Sequence, residues 1–367
     1  MSPDMASHQS SNHLEPLRQR IDKLDRQIVE LLNARAKVVV DIGKAKQANH
    51  TAIYAPDREQ RVLEQVRRHN AGPLPDSCLE AIWREMMSGS FALERPLRIG
   101  YLGPPGSFSH LAARRKFGAS VEYDDVESIQ AVFDEIARGH LDLGLVPIEN
   151  SIDGGVAETL DSFVDSSVRI CAEVLITIHH NLLANCEPQL INKLYSKPNG
   201  FSQCRQWLSV QLRQAERVDV ASTSRAAELA SLEPGAAAIG SALAGELYGL
   251  KVQFANIEDT VNNVTRFFVI GKESPPPTGD DKTTLMFTTA HEAGALSKVL
   301  DVFRDHGRNL THIDKRPSKK VNWEYYFFVD FEGHEHAPEI VKVIEKSRSH
   351  CLQMSVLGSF PTAHKVL

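Results

Sequence analysis

The sequence predicts a multidomain chain in three parts: an all-α segment, a two-lobed α/β segment, and a small α+β segment in the order βαββαβ. Three observations carry that reading. Apolar residues from Leu14 onward recur three and four apart, as along one face of a long helix. Between Pro96 and Gly271, short apolar runs alternate with helical patterns, punctuated by Gly, Pro and Ser. Beyond a Pro-rich, charged stretch at 272–282, six more elements follow in the βαββαβ order. The expected divisions are a flexible tail at 1–13, a helical segment at 14–95, the α/β segment at 96–271, a linker at 272–282 and the last segment at 283–367.

Composition narrows the functional class. The 367 residues are 42% hydrophobic and 24% charged, a globular profile long enough for two or three cores. Lys plus Arg, 41, falls short of Asp plus Glu, 47, and the net charge of −6 argues against a nucleic-acid binder. Five scattered cysteines, none in a C-x-x-C pair, point to a reduced cytosolic protein with no structural metal site. Residues 1–13 lack the apolar stretch of a signal peptide, and no later run is long enough to span a bilayer. A cytoplasmic location with no membrane partner is therefore expected.

In the first segment Leu14, Leu17, Ile21, Leu24, Ile28, Leu31, Val38 and Ile42 mark a helix of about 35 residues, roughly 50 Å long. Two shorter helices follow, one capped by Asp57 and one opening at 75–77 with Leu79, Ile82, Trp83, Met86 and Met87 on a stripe. They cannot cover the long helix, so a second copy is expected to do so. Charges occupy places where a core should be. Arg35 interrupts the heptad seam, and Lys46, about three turns on, projects from nearly the same face. One such cation is more often paired with an internal acid; two on one stripe favour a buried anion site. Arg58 and Glu59 precede Val62 on its apolar face, while Ser90 and Glu94 continue the Met86 stripe.

These residues, with L-R-x-x-I-D-x-L-D at 17–25, D-I-G-K-A-K at 41–46 and P-D-R-E at 56–59, resemble the all-helical chorismate mutase family. The resemblance implies that Arg18, Arg35, Lys46 and Arg58 hold the carboxylates and ether oxygen of chorismate, Glu59 its hydroxyl and Ser90 a carboxylate. It also implies an interlocked homodimer in which Arg18 comes from the partner. Seventeen helical residues rotate Arg18 about 100° from Arg35, so the two converge more easily between chains than within one. The Claisen rearrangement to prephenate needs no nucleophile, only a folded conformer and stabilised charge on the ether oxygen, which Lys46 and Glu94 would flank. A Glu can donate there only when protonated, so turnover is expected to fall at high pH. Ala55 stands where some members carry Asp.

In the middle segment, residues 98–103 read as a buried strand entering a Gly-Pro-Pro-Gly-Ser loop and a helix from about His110, an arrangement that suits an anion. It is neither G-x-G-x-x-G nor a P-loop, so no nucleotide cofactor is implied. A helix near 129–137, a strand at 141–148, a helix after Gly155, a strand at 168–178 and strands near Leu194, Val218, Ala237 and Phe254 suggest a largely parallel sheet. Polar residues cluster where strands end: Glu149 and Asn150, Ser196 and Gln203, Ser222 to Ser224 with Thr223 between, and Asn263 to Phe267. Singly these are turn and cap residues, but their recurrence suits a ligand crevice.

The motifs G-P-P-G-S-F-S-H-L-A-A at 103–113, V-P-I-E-N-S at 146–151, Y-S-K-P and S-Q-C at 195–204, and N-V-T-R-F-F-V at 263–269 resemble prephenate dehydratase. The resemblance implies conversion of prephenate to phenylpyruvate with Thr265 assisting departure of the hydroxyl. Glu149, Asn150, Ser196, Gln203, Ser222, Thr223, Ser224 and Phe267 would line the cleft. Arg266 would hold a carboxylate or serve a structural ion pair. The last segment reads as a ferredoxin-like plait and resembles an ACT domain, through Gly294, Ala295 and Leu296 and the stretch 309–317, where the family's usual Glu-Ser-Arg-Pro reads Asp314-Lys315-Arg316-Pro317. That resemblance implies phenylalanine as effector, touching Gly294 to Leu296, Asn309, Leu310 and Arg316. In order along the chain the three resemble the bifunctional chorismate mutase/prephenate dehydratase family, which needs neither metal nor cofactor. A silent amino-acid sensor is the alternative, disfavoured by Lys46 and Thr265 in their motifs. A dehydrogenase fused to a mutase would need a dinucleotide fingerprint, which is not present.

Overall fold

The computed structural model describes residues 6–48, 54–319 and 323–367. The helical segment is α1 (Ala6–Ala48), α2 (Pro56–His69) and α3 (Asp76–Glu94). α2 starts on Pro56 with Asp57 and Glu59 in its first turn and ends on Arg67, Arg68 and His69, charges that complement its dipole. α1 begins inside the stretch expected to be a tail, of which residues 1–5 lie outside the described residues. The seam side chains from Leu14 to Ile42 remain at least 46% exposed, and among the described side chains of α1 only Val39 and Gly43 are buried.

The α/β segment runs β1 (Arg98–Leu102), α4 (Phe108–Phe117), β2 (Glu122–Val126), α5 (Ile129–Arg138), β3 (Leu143–Asn150), β4 (Gly154–Gly155), α6 (Ala157–Phe163) and β5 (Arg169–Thr177). It continues with β6 (Asn181–Ala184), β7 (Lys193–Ser196), α7 (Pro198–Gln203), α8 (Arg205–Gln211), β8 (Glu216–Asp219), α9 (Thr223–Leu232), β9 (Ala236–Gly240), α10 (Ala242–Tyr248), β10 (Lys251–Phe254) and β11 (Val264–Gly271). Ser107, Ser128, Ser222 and Ser241 cap α4, α5, α9 and α10, each side chain accepting from a backbone amide three residues on.

The expected two lobes are present, each with its own sheet, β2-β1-β3-β11-β5 and β10-β6-β9-β7-β8. The sheets are mixed rather than largely parallel. The chain leaves the first sheet after β5, builds the second lobe, and returns as β11, which inserts between β3 and β5 antiparallel to both. In the second sheet β6 runs antiparallel to β9 and β10.

The plait comprises β12 (Asp281–Thr288), α11 (Ala295–Asp305), β13 (Leu310–Pro317), β14 (Tyr325–Glu332), α12 (Pro338–Arg348) and β15 (Gln353–Pro361), in the antiparallel order β13-β14-β12-β15. Val299, Phe303, Ile340 and Val343 pack the helices on one face of this sheet. Met286, Phe328, Leu357 and Phe360 on the other face share one core with Phe163, Phe268 and Ile270 of the α/β segment. The last segment is thus packed onto its neighbour.

Charge seals this contact. Arg266 of β11 lies 2.7 Å from Glu173 of β5 and 2.6 Å from Asp330 of β14, both carboxylates 1% exposed, and Asp330 also accepts from Thr284 Oγ1 at 2.6 Å. Burial works against the Arg266 charge, and Asp330 with Glu173 more than offsets it, so its pKa rises. Asp330→Asn is expected to cost about 3–5 kcal/mol, because it leaves a buried cation under-compensated. An unchanged urea-unfolding midpoint would show that the pair adds nothing.

Candidate active sites

In the helical segment α1 and α3 approach closely at Gly43, where a Cβ would meet Glu94 Cγ at 3.1 Å. One turn on, Lys46 Nζ lies 3.0 Å from Glu94 Oε2, with 24% and 9% of the two side chains exposed. Higher in the same groove Arg35 Nη1 donates to Ser90 Oγ at 2.9 Å. Burial, and then the neighbouring Arg58, lowers the Arg35 pKa below its ordinary value. An anion between the two guanidiniums would relieve that repulsion. One expected residue stands apart from this group, and another is met from outside the helical segment. Arg18 is exposed, about 25 Å up the helix from Arg35. Glu59 is met by the α/β segment, its Oε2 lying 2.9 Å from Lys116 Nζ of α4 and 3.5 Å from the hydroxyl of Tyr54, a residue that shares a cavity wall with Lys46 and Glu94. Beside Lys46 and Glu94 a cavity of about 950 Å³ opens, its far wall including Leu141, Cys171 and Lys272.

Glu94 here accepts from Lys46, so to donate to an ether oxygen it must first take up a proton. Glu94→Gln, which carries an N–H donor in the same place, is expected to retain chorismate turnover, and Glu94→Ala to lose about tenfold or more. Full turnover in the alanine variant would remove Glu94 from the reaction.

In the α/β segment the paired strands β3 and β11 set Asn150 opposite Thr265. Asn150 Nδ2 donates to Thr265 Oγ1 at 2.8 Å and to Asn263 Oδ1 at 2.7 Å, while its Oδ1 accepts from the amides of Ile152 and Asp153. With both ends of the amide engaged, its orientation is fixed. Because Thr265 Oγ1 is already an acceptor, its own proton is available to a ligand. The network continues through Asn263 Nδ2 to Gln203 Oε1 at 3.1 Å, which also lies 2.7 Å from His180 Nε2. Burial lowers the His180 pKa against the opposing influence of Gln203.

Around this cleft Ser196 Oγ, Ser224 Oγ and His180 Nδ1 are buried with no hydrogen-bond partner among the described residues. Gly106, at φ +86°, brings the α4 loop against Ser224, where a Cβ would lie 3.3 Å from its Oγ. Unpaired buried polar atoms cost free energy in the empty protein, and a polar ligand would offset that cost.

Several expected cleft residues point elsewhere. Successive strand residues alternate faces, so Glu149 and Arg266 lie opposite to Asn150 and Thr265 and meet the plait. Glu149 Oε2 is 3.3 Å from His312 Nδ1, and Arg266 is held by Glu173 and Asp330 rather than by a substrate carboxylate. Phe267, 1% exposed beyond the bulge that follows Arg266, packs in the core with Ile99 and Val269. Ser222 caps α9 through its hydroxyl, and Thr223 is buried in the first turn. His180 and Asp153, which accepts from Gln203 Nε2 at 3.4 Å, were not expected. The only cue to His180 is a polar pair, His179-His180, ahead of the apolar Leu182-Leu183, and Asp153 is marked only by the Gly154-Gly155 pair that follows it.

In the plait a cavity of about 180 Å³ is lined by Ala295, Leu296, Trp323, Tyr325 and Phe327 among others. Gly294 caps α11 at φ +82°. The remaining expected effector contacts are otherwise engaged. Arg316 makes a two-point pair with Asp161 of α6, at 2.9 and 3.0 Å. Leu310 packs on the plait core and Asn309 reaches Glu332. Arg316 first, opposed by burial and aided by Lys319, lowers the Asp161 pKa.

Comparison with known proteins follows the same three segments. Family models match as Chorismate mutase type II over residues 17–95, Prephenate dehydratase over 99–275 and ACT domain over 283–348. A bifunctional chorismate mutase/prephenate dehydratase of Stutzerimonas stutzeri is 40% identical over 360 residues, covering 96% of this chain and 99% of that one. Among solved structures, prephenate dehydratase of Arthrobacter aurescens in complex with L-Phe is 31% identical, with a TM-score of 0.68 over 73% of this chain and 90% of that one. GqqA, described as a novel type of quorum quenching acylase, is 26% identical with the same TM-score, over 73% of this chain and 98% of that one. Among the described residues, no helix is long and apolar enough to cross a membrane.

Proposed function

The chain belongs to the bifunctional chorismate mutase/prephenate dehydratase family, with an ACT domain behind its two enzyme domains, and we propose that the residues gathered above run its two reactions. It is an enzyme of phenylalanine biosynthesis that rearranges chorismate to prephenate and then dehydrates and decarboxylates prephenate to phenylpyruvate. The single observation that carries the assignment is agreement in one order over nearly the whole length of a 40% identical relative.

In the mutase groove Arg35 and Arg58 hold carboxylates, Ser90 supports Arg35, and Lys46 with Glu94 stabilises charge growing on the ether oxygen. Arg18 is too far from Arg35 to act within its own chain. The uncovered seam of α1 is apolar, and the partner subunit's α1 covers it in a homodimer, bringing the partner subunit's Arg18 to the groove. A monomer by light scattering with full mutase activity would overturn this arrangement.

In the dehydratase cleft Thr265 donates to the departing hydroxyl of prephenate as the ring loses carbon dioxide and aromatises. Asn150 holds the Thr265 oxygen, and Ser196 and Ser224 supply the unpaired hydroxyls that receive the substrate. L-Phenylalanine acts as effector at the aromatic cavity of Trp323, Tyr325 and Phe327, and the protein works in the cytoplasm. Chorismate supplied with no added metal or nucleotide is expected to yield phenylpyruvate, and phenylalanine is expected to slow that yield. Prephenate accumulating instead would remove the Thr265 site, and no turnover by folded protein would favour a sensor.

A further inference from the structure

The mutase family match ends at residue 95, yet the closest contact of Glu59 among the described residues comes from beyond it. We propose that Lys116 of the dehydratase domain is a positioning residue for the mutase reaction, holding the Glu59 carboxylate ready for the substrate hydroxyl. The inference rests on the reading of Glu59 as the residue that accepts that hydroxyl.

Three observations support it. The pair is sheltered, with 18% of the Lys116 side chain and 15% of the Glu59 side chain exposed, so the charges attract through less water than a surface pair does. Both Lys116 Nζ, at 2.9 Å, and the Tyr54 hydroxyl, at 3.5 Å, fall on Oε2. Oε1 accepts no hydrogen bond among the described residues. The backbone that delivers Lys116 is itself fixed: the next residue, Phe117, packs edge-on against Tyr54 at 5.2 Å, and Gly118 turns the chain at φ +77° against Ser88.

The remaining contacts here hold the domains together by other means. Glu85 Oε2 and Ser88 Oγ each accept a backbone amide, from Ala119 and Ser120, at 2.9 Å. Docking therefore does not require the lysine, whereas a fixed Glu59 does. α4 accordingly serves both reactions, its first turn carrying the loop against Ser224 and its last turn carrying Lys116.

The test uses the full chain and follows chorismate loss and, from supplied prephenate, phenylpyruvate formation. Lys116→Met is expected to lower mutase kcat/KM roughly tenfold, chiefly through KM, with dehydratase kinetics unchanged. Lys116→Arg is expected to recover most of the loss, and Glu85→Ala, which removes a docking contact only, to leave both activities unaltered. In a Glu59→Ala background Lys116→Met is expected to do nothing further. Unchanged mutase kinetics in Lys116→Met, equal loss of both activities, or an undiminished effect without Glu59 would each overturn the proposal. If Glu59→Ala alone leaves the mutase intact, the reading of Glu59 itself falls; if it damages the mutase while Lys116→Met does not, only Lys116 is misassigned.

Discussion

Thr265→Ala is expected to slow phenylpyruvate formation by about 10²-fold or more, while chorismate loss on the same chain proceeds at its usual rate. Thr265 is 8% exposed and its oxygen already accepts from Asn150, so its proton is the part of the hydroxyl left to serve a ligand. A threonine hydroxyl is a weak acid, and most of the driving force lies in aromatisation. What the residue adds is a hydrogen bond aimed where negative charge develops on the departing oxygen. Alanine removes that bond yet leaves Asn150 bonded to Asn263, so the surrounding network persists. Thr265→Ser keeps the hydroxyl and is expected to retain much of the rate. Full activity in the alanine variant, with folding verified by the intact mutase, would end the assignment.

Lys46→Met is expected to reduce chorismate turnover by about 10²–10³-fold and to spare the dehydratase. The Lys46 side chain is 24% exposed with its ammonium at the Glu94 carboxylate, in a groove where α1 and α3 are pressed together at Gly43. A cation fixed there beforehand needs little reorganisation as charge grows on the ether oxygen. Because methionine leaves Glu94 without this cation, the double variant Lys46→Met/Glu94→Gln separates lost catalysis from a stranded acid. If the double variant recovers the rate, Lys46 acts only by balancing Glu94.

The sequence made the architecture readable because each segment has its own periodicity. The heptads of α1, the strand–loop–helix run at 98–117 and the βαββαβ order needed no tertiary knowledge. What it hid was sidedness. Glu149, Asn150, Thr265, Arg266 and Phe267 lie in two short motifs, and the motifs alone do not say which members face a ligand. Strand alternation separates Asn150 and Thr265 from Glu149 and Arg266, while Phe267, on the same face as Thr265, lies deeper in the core with Val269. The pairing of Arg316 was hidden in the same way, its acceptor Asp161 being 155 residues away in sequence. Lys116 gave no local signal and His180 only its pairing with His179, since each matters through a partner on another element.

The two-sided strand pair also governs how freely the parts of this protein can be exchanged. Here the face made by β3, β11, β5 and α6 is already cut to fit one particular plait. Glu149, Asp161, Glu173 and Arg266 each expect a specific partner on it: His312, Arg316, Lys282 and Asp330. A plait grafted from another protein without those four counterparts would bury mismatched charges directly behind Asn150 and Thr265. Recombination at 272–282 therefore joins two pieces that are tailored to each other, and a transplanted sensor has to bring its counter-charges with it.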